Sequence, residues 1–320
     1  MAPLASWRPA RRRRGDDALR ALTITSGVVV LALLCAIAGF LVVHALPALA
    51  HDRGSFLTER QWDPDSSHLF GVAALAFGTL LSSALALCVA APVAIGAALF
   101  TTQLAPARLA TALAWAVDLL AAVPSVVYGL WGYYFLLPHL VGVQTWLSRD
   151  LGWIPLFADP HGTANTFSKS VFGASLVLAV MVIPIVSAVS REVLAQADRG
   201  VYEASLALGA TRSEAVWHAV IRPRVPGLLS AAMLGLGRAL GETIAVAIVI
   251  GSTFGIDWHI LTPGGNTIAA NIANRFGDAG AIGRSALIAS GLVLFGMTLL
   301  VNFVARVVIA RSGIRERSAT

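Results

Sequence analysis

The chain has 320 residues, of which 57% are hydrophobic and only 12% charged, with a mean hydropathy of +0.76. A soluble domain carries about 25% charged residues, so there is too little charge here to coat a water-facing globule. A soluble enzyme, a disordered chain and a nucleic-acid binder are excluded as first readings despite the net charge of +6. What remains is an all-α, polytopic membrane protein.

A bilayer-crossing helix needs about 20 mostly apolar residues. Six stretches qualify in chain order: 22–49, 69–100, 109–137, 171–190, 227–251 and 284–310. Unbroken runs of this length exclude the alternating strands of a barrel. The first run follows Arg8, Arg11, Arg12, Arg13, Arg14 and Arg20 and ends near Ala48-Leu49-Ala50, as a cleavable leader would. A leader core is about 7–15 residues, whereas 22–43 is apolar throughout, so the segment is expected to stay as an anchor. Cys35 and Cys88 lie in apolar runs and are expected to be buried, unreactive thiols with no disulfide or metal role.

The connections 50–68, 138–170 and 252–283 are rich in Gly, Pro, Asp, Asn and Trp, as loops should be. The middle one carries Trp146 and Trp153 beside Leu147, Leu151, Ile154 and Leu156. It reads as a helix on the membrane interface, the other reading being a docking surface for an extracytoplasmic partner. With the N-terminus inside, the inner segments hold sixteen of the 23 Arg and Lys residues and the outer ones six. By the positive-inside rule both termini are expected to be cytoplasmic.

The long inner connection, 191–226, reads as two short helices. The first passes through Tyr202, Glu203, Ala204 and Ser205 to Leu208, and Gly209 suits its end because glycine enters the left-handed region at little cost. Ala210 leads to Thr211, which with Glu214 three residues on makes a capping box for the second helix. Pro223 and Pro226 are expected to stop that helix before the fifth span. A bent pair with small residues at its corner is suited to being gripped by another protein; the plainer reading is a surface hairpin.

Arg238 and Glu242 fall inside the fifth span. A charge at the centre of a spanning helix costs about 2.5–3.5 kcal/mol on the insertion scale, so both must face protein or an aqueous path. Four residues apart, they should share one helix face. One reading is a self-neutralising pair that locks the bundle. The favoured one is that Arg238 offers a planar, permanently charged fork to an oxyanion, with Glu242 pairing with the arginine when the anion is absent or repelling a second anion. Gly237 and Gly241, four apart, suggest a close-packing face. Asp118 in the third span is a second intramembrane charge, with a helix-packing or a substrate role.

No energy-coupling site is present. A Walker A loop needs Gly-Lys-Ser/Thr, and the sole lysine, Lys169, follows Ser168. There is no H-E-x-x-H, and Gly235, Gly237 and Gly241 miss the dinucleotide fingerprint by one residue.

The segment EASLALGATRSEAVWHAVIRPRVPG, residues 203–227, resembles the cytoplasmic EAA loop of ABC importer permeases, with Glu203, Ala204 and Gly209 matching, Ser205 replacing an alanine and Arg222 standing where proline is usual. GRALGETIAVAIVIG (237–251), DLLAAVPSVVYGLWG (118–132) and FLTERQWDP (56–64) are similar to the phosphate-specific, PstC-type branch of that family. The resemblance implies five spans in a MetI-like core at 70–310, including the coupling loop 191–226. The rest would be a basic cytoplasmic segment at 1–21, a peripheral anchor at 22–49 and a tail at 311–320. It implies a non-enzymatic transport subunit in a bacterial inner membrane, with no cofactor of its own. Arg238, Glu242, Gly237, Gly241 and Thr243 would line the substrate path. Glu203, Ala204, Gly209, Ala210 and Thr211 would engage a separate ATPase that uses ATP and Mg. The implied partners are a second permease subunit, a dimer of ATP-binding subunits and an extracytoplasmic phosphate-binding protein. The competing readings are the same machine carrying sulfate or molybdate, an ion-gradient-driven carrier, and an intramembrane hydrolase; the last needs a nucleophile–base pair, while His44, His139 and His259 all sit at or beyond span ends.

Overall fold

The computed structural model describes residues 14–167 and 169–311; Arg8, Arg11, Arg12, Arg13, Arg315 and Arg317, counted above with the inner charges, lie outside the described residues. Helix α1 (Arg14–His51) is followed by a minimal antiparallel hairpin, β1 (Trp62–Asp63) and β2 (Leu69–Phe70). Then come α2 (Ala73–Leu99), α3 (Ala107–Ala122), α4 (Ser125–Trp131), α5 (Leu137–Asp150) and α6 (Val171–Ala195). The elbow is α7 (Arg199–Ala207) and α8 (Arg212–Ala215), and the chain closes with α9 (Arg222–Gly241), α10 (Ile244–Val249), α11 (Ile268–Arg275) and α12 (Ala281–Arg311). Turns of π-helix join α2 to its end at Leu104, α4 to α5 and α8 to α9. Among the described residues six helical runs are long and apolar enough to cross a membrane.

The centre of the bundle is α2 against α6. Ala86, Ala90, Ala94 and Ala98, each four residues after the last, are all fully buried and form a smooth ridge. Small residues matter more than bulk here, because lipid offers no hydrophobic drive for helix association and contact has to come from close approach. Two glycines extend the same logic. A Cβ on Gly132 would lie 2.5 Å from Val177 Cγ2, and one on Gly235 would lie 2.5 Å from Val186 Cγ2. By contrast α1 is exposed along most of its length and packs on the body through α12, with Ala48 joining a cluster with Trp62, Phe70 and Leu287.

Two expected spans are broken. The stretch 109–137 is two helices, because Pro124 holds Val123 in extended backbone (φ −67°, ψ 130°). The Tyr128 hydroxyl donates to the Leu120 carbonyl at 2.7 Å, adding to the 3.2 Å bond that this carbonyl accepts from the Val123 amide in place of the i+4 amide that Pro124 lacks. The restarted helix runs on to Asp150, so the first part of the connection expected at 138–170 is helical. It buries Leu147 while leaving Trp146 and Trp153 exposed.

The fifth stretch differs at both ends. Pro223 and Pro226 do not stop the preceding helix. It passes from α8 through the π turn Val216–Ile221 into α9, with Pro223 in the first turn, where its missing N–H costs least. The membrane tolerates the second proline, as other helices and side chains compensate locally. At the far end α9 stops at Gly241, and Glu242 is extended (φ −68°, ψ 125°) before α10 resumes. Cys35 and Cys88, expected to be buried, point outward from the bundle, since an apolar run in lipid has no need to hide a thiol.

At the face opposite the elbow, loops clamp the helices. Asp65 accepts from the Gly280 and Gly283 amides at 2.9 and 2.8 Å and so caps α12 from a distant part of the chain. Thr79 accepts from the Ile268 amide at 3.0 Å. Asp257, 2.5 Å from the His259 ring, is pushed up by burial but held below the usual carboxylate range by hydrogen bonds from the His259 backbone and ring.

Candidate functional site

The two helix breaks meet. Tyr128, just after the first, lies in one buried cluster with Ala239, Ala245 and Val246, which flank the second. Gly129 permits this: a Cβ there would sit 2.9 Å from both the Ala245 Cα and the Ile248 Cδ1. Backbone of α4 is therefore in direct contact with backbone of α10.

Arg238 occupies the last turn of α9 beside this junction, and its guanidinium is 44% exposed within the chain. Glu242 is the C-cap, and its side chain is only 9% exposed. Their charged atoms approach to 4.0 Å. This is too long for a hydrogen bond, so the pair is held by charge while the guanidinium donors find no acceptor among the described residues. They share one helix face as expected: Glu242 is the C-cap, four residues after Arg238, and its φ of −68° is still helical, so its side chain leaves on the Arg238 side while its extended ψ turns only the following chain away.

Gly237 and Gly241 do not make the expected close-packing face within this chain: a Cβ on either would meet nothing within 4 Å. They leave bare backbone beside Arg238 on an open side of α9, and the glycine that packs is Gly235. Thr243, half-buried, donates to the Gly241 carbonyl at 3.1 Å across the break. Asp118 belongs elsewhere. It pairs at 2.5 Å with Arg191, linking α3 to α6 and not to Arg238.

The elbow follows its sequence closely. Asp198 caps α7 by accepting from the Gly200 amide at 2.8 Å. Gly209 adopts φ +92°, and both halves of the Thr211–Glu214 capping box are formed. The foot is anchored: Leu194, Val220 and Leu228 are buried with Ala98, and Arg224 donates to the Gln196 carbonyl at 2.5 Å. The opposite face is open. Glu203, Ala204, Gly209 and Thr211 are exposed and Ala210 is half-buried. Leu208, 91% exposed at the corner, is an apolar side chain with nothing of this chain over it. Sequence reasoning passed over Leu208, although a leucine next to a turn glycine in an otherwise amphipathic helix is the available signal. It also passed over Tyr128 and Gly129, whose partners are distant in sequence.

Among the described residues no group of three or more His, Cys, Asp or Glu side chains is placed to hold a metal ion.

A family model described as the binding-protein-dependent transport system inner membrane component matches residues 90–313. The phosphate transport system permease protein PstC 2 of Mycobacterium tuberculosis is 42% identical over 304 residues, spanning 94% of this chain and 93% of that protein. The phosphate transport system permease protein PstC of Haemophilus influenzae is 36% identical over 297 residues, spanning 92% of this chain and 93% of its own. A chain of the inward-facing MetNI methionine ABC transporter, in its native CY5 crystal form, is similar in fold. It has a TM-score of 0.51 and 16% identity, over 74% of this chain and 91% of that one.

Proposed function

This chain belongs to the binding-protein-dependent transport system inner membrane components, within their PstC group, and on that footing we propose that it is the permease subunit of an ATP-driven importer of inorganic phosphate. It forms half of the path and carries no ATPase of its own. The observation that carries the substrate reading is the Arg238 guanidinium at the α9–α10 break, close to a buried carboxylate yet free of hydrogen-bond acceptors. Such a fork can bind a phosphate oxyanion in a bidentate manner, and Glu242 neutralises it between passages.

Residues 70–310 act as the permease core, 1–21 as a basic cytoplasmic segment, 22–49 as a peripheral anchor and 311–320 as a tail, with both termini cytoplasmic. Only the break end of α9, with Gly237, Gly241 and Thr243, faces a second permease subunit and the path between the two. Asp118, paired with Arg191, serves as a structural tie near the elbow. The exposed face of the elbow, Glu203, Ala204 and Leu208 to Thr211, fits a groove on a dimer of ATP-binding subunits, where ATP and Mg are used. A phosphate-binding protein docks on the opposite face.

The test is radiolabelled phosphate uptake into proteoliposomes holding the chain and these partners. Uptake should require ATP and binding protein and should resist excess sulfate and molybdate. Uptake without ATP would make the chain a gradient-driven carrier, and strong competition by sulfate or molybdate would reassign the anion.

A further inference from the structure

A second cationic position lies apart from Arg238. Between α9 and α12, Ser230, Asn302 and Arg306 place polar groups on the wall of a mainly apolar cavity of about 460 Å³. It opens into a neighbouring crevice of about 400 Å³ lined by Leu229, Leu236, Leu300 and Val304, with Met233 common to both.

Three features describe an occupant. Arg306 is exposed and has no ion-pair or hydrogen-bond partner among the described residues, although an arginine is always charged. Asn302 precedes it by one helical turn, so both present polar groups to the same mouth. The position is also right for a headgroup. Arg306 comes 25 residues after Ala281, the start of α12, or about 37 Å along the helix at 1.5 Å per residue. A hydrocarbon core of about 30 Å leaves Arg306 at its boundary on the elbow side, where Arg222 and Arg224 also begin α9.

We propose that this groove holds an anionic phospholipid, with its phosphate on Arg306 and Asn302 and an acyl chain along the leucine-lined crevice. Phosphate chemistry alone would also suit a free anion, but a free anion has no use for the apolar crevice. The inference depends on the placement of α9 and α12 in the membrane and not on which solute is transported, so it can fail while the phosphate reading stands, and the reverse.

The test is native mass spectrometry of the full-length chain, taken from detergent after exposure to phosphatidylglycerol or phosphatidylcholine. Wild-type protein should retain phosphatidylglycerol preferentially. Arg306→Gln should lower retention about fivefold, equivalent to the ~1 kcal/mol of one basic residue at an anionic surface, and Arg306→Lys should restore most of it. Val304→Trp, which fills the crevice and leaves the charge, should also lower it. Equal retention of the two lipids, retention unchanged in Arg306→Gln or Val304→Trp, or displacement of the lipid by inorganic phosphate would each overturn the proposal. The last result would assign the site to a free anion, and failure of the wild type to retain any lipid would point to a protein surface.

Discussion

The elbow between α7 and α8 and the break between α9 and α10 both end a helix at a glycine, but they hold their chemistry differently. At the elbow the turn and both caps are local, although its foot is anchored to the bundle. Gly209 takes the left-handed turn, Thr211 and Glu214 cap the helix that follows, and Asp198 caps the one before. At the break, Gly241 stays in ordinary helical backbone and the turn-out falls on Glu242. What keeps the chain there is contact with α4, reached through Gly129. The corner of the elbow is thus shaped by its own sequence and offers an open face, whereas the break is shaped by contacts within the assembled bundle. A surface that must fit another protein benefits from being preformed by its own sequence. A charge in the membrane has to be positioned by its surroundings, because an unsupported one would not remain in lipid.

The largest expected effect tests the break directly. Arg238→Gln keeps the length and polarity of the side chain but removes the charge-assisted bonds to an oxyanion, which are worth about 1.5–3 kcal/mol each. Phosphate uptake should fall at least a hundredfold while the chain still assembles with its partners in pull-down. Normal uptake would remove the arginine from the path.

A smaller change tests whether the break depends on tertiary contact. Gly129→Val places carbon against Ala245 and Ile248, and overpacking of this kind costs about 1–3 kcal/mol. Thermal stability in detergent should drop and uptake with it, although the variant touches neither charge. An unchanged melting temperature would mean that the α4–α10 contact does not hold the break.

The smallest effect belongs to the elbow. Nothing lies within 4 Å of a Cβ on Gly209, so Gly209→Val introduces no internal clash. Its cost is the left-handed backbone, about 1–2 kcal/mol, paid only where the corner must keep its shape. ATP-dependent uptake should fall about fivefold to thirtyfold, the factor for that energy, while thermal stability of the isolated chain changes little. Full coupling in this variant would mean that the corner is not the ATPase-facing element.

The legible parts of the sequence were those governed by local rules. Membrane class, the number of crossings, the capping box at Thr211 and the turn at Gly209 follow from composition, run length and spacings of a few residues. Pro124 carried a readable warning too, because the residue before a proline avoids the helix, yet an apolar run hides a break when only its length is counted. The break at Glu242 had no such marker. The sequence GRALGETIAVAIVIG has neither proline nor any polar run there, and its helical spacing favours a single face for Arg238 and Glu242.

By itself, then, the sequence determined that this chain crosses the membrane on helices, carries an arginine and a glutamate within it, and exposes a capped elbow. These are properties of residues and their near neighbours. Only the tertiary structure decided that two helices break side by side, that Gly235 packs while Gly237 and Gly241 stay open, and that Asp118 answers Arg191. Each of these depends on backbones far apart in sequence approaching closely enough for a single Cβ to matter, a condition that no local spacing encodes.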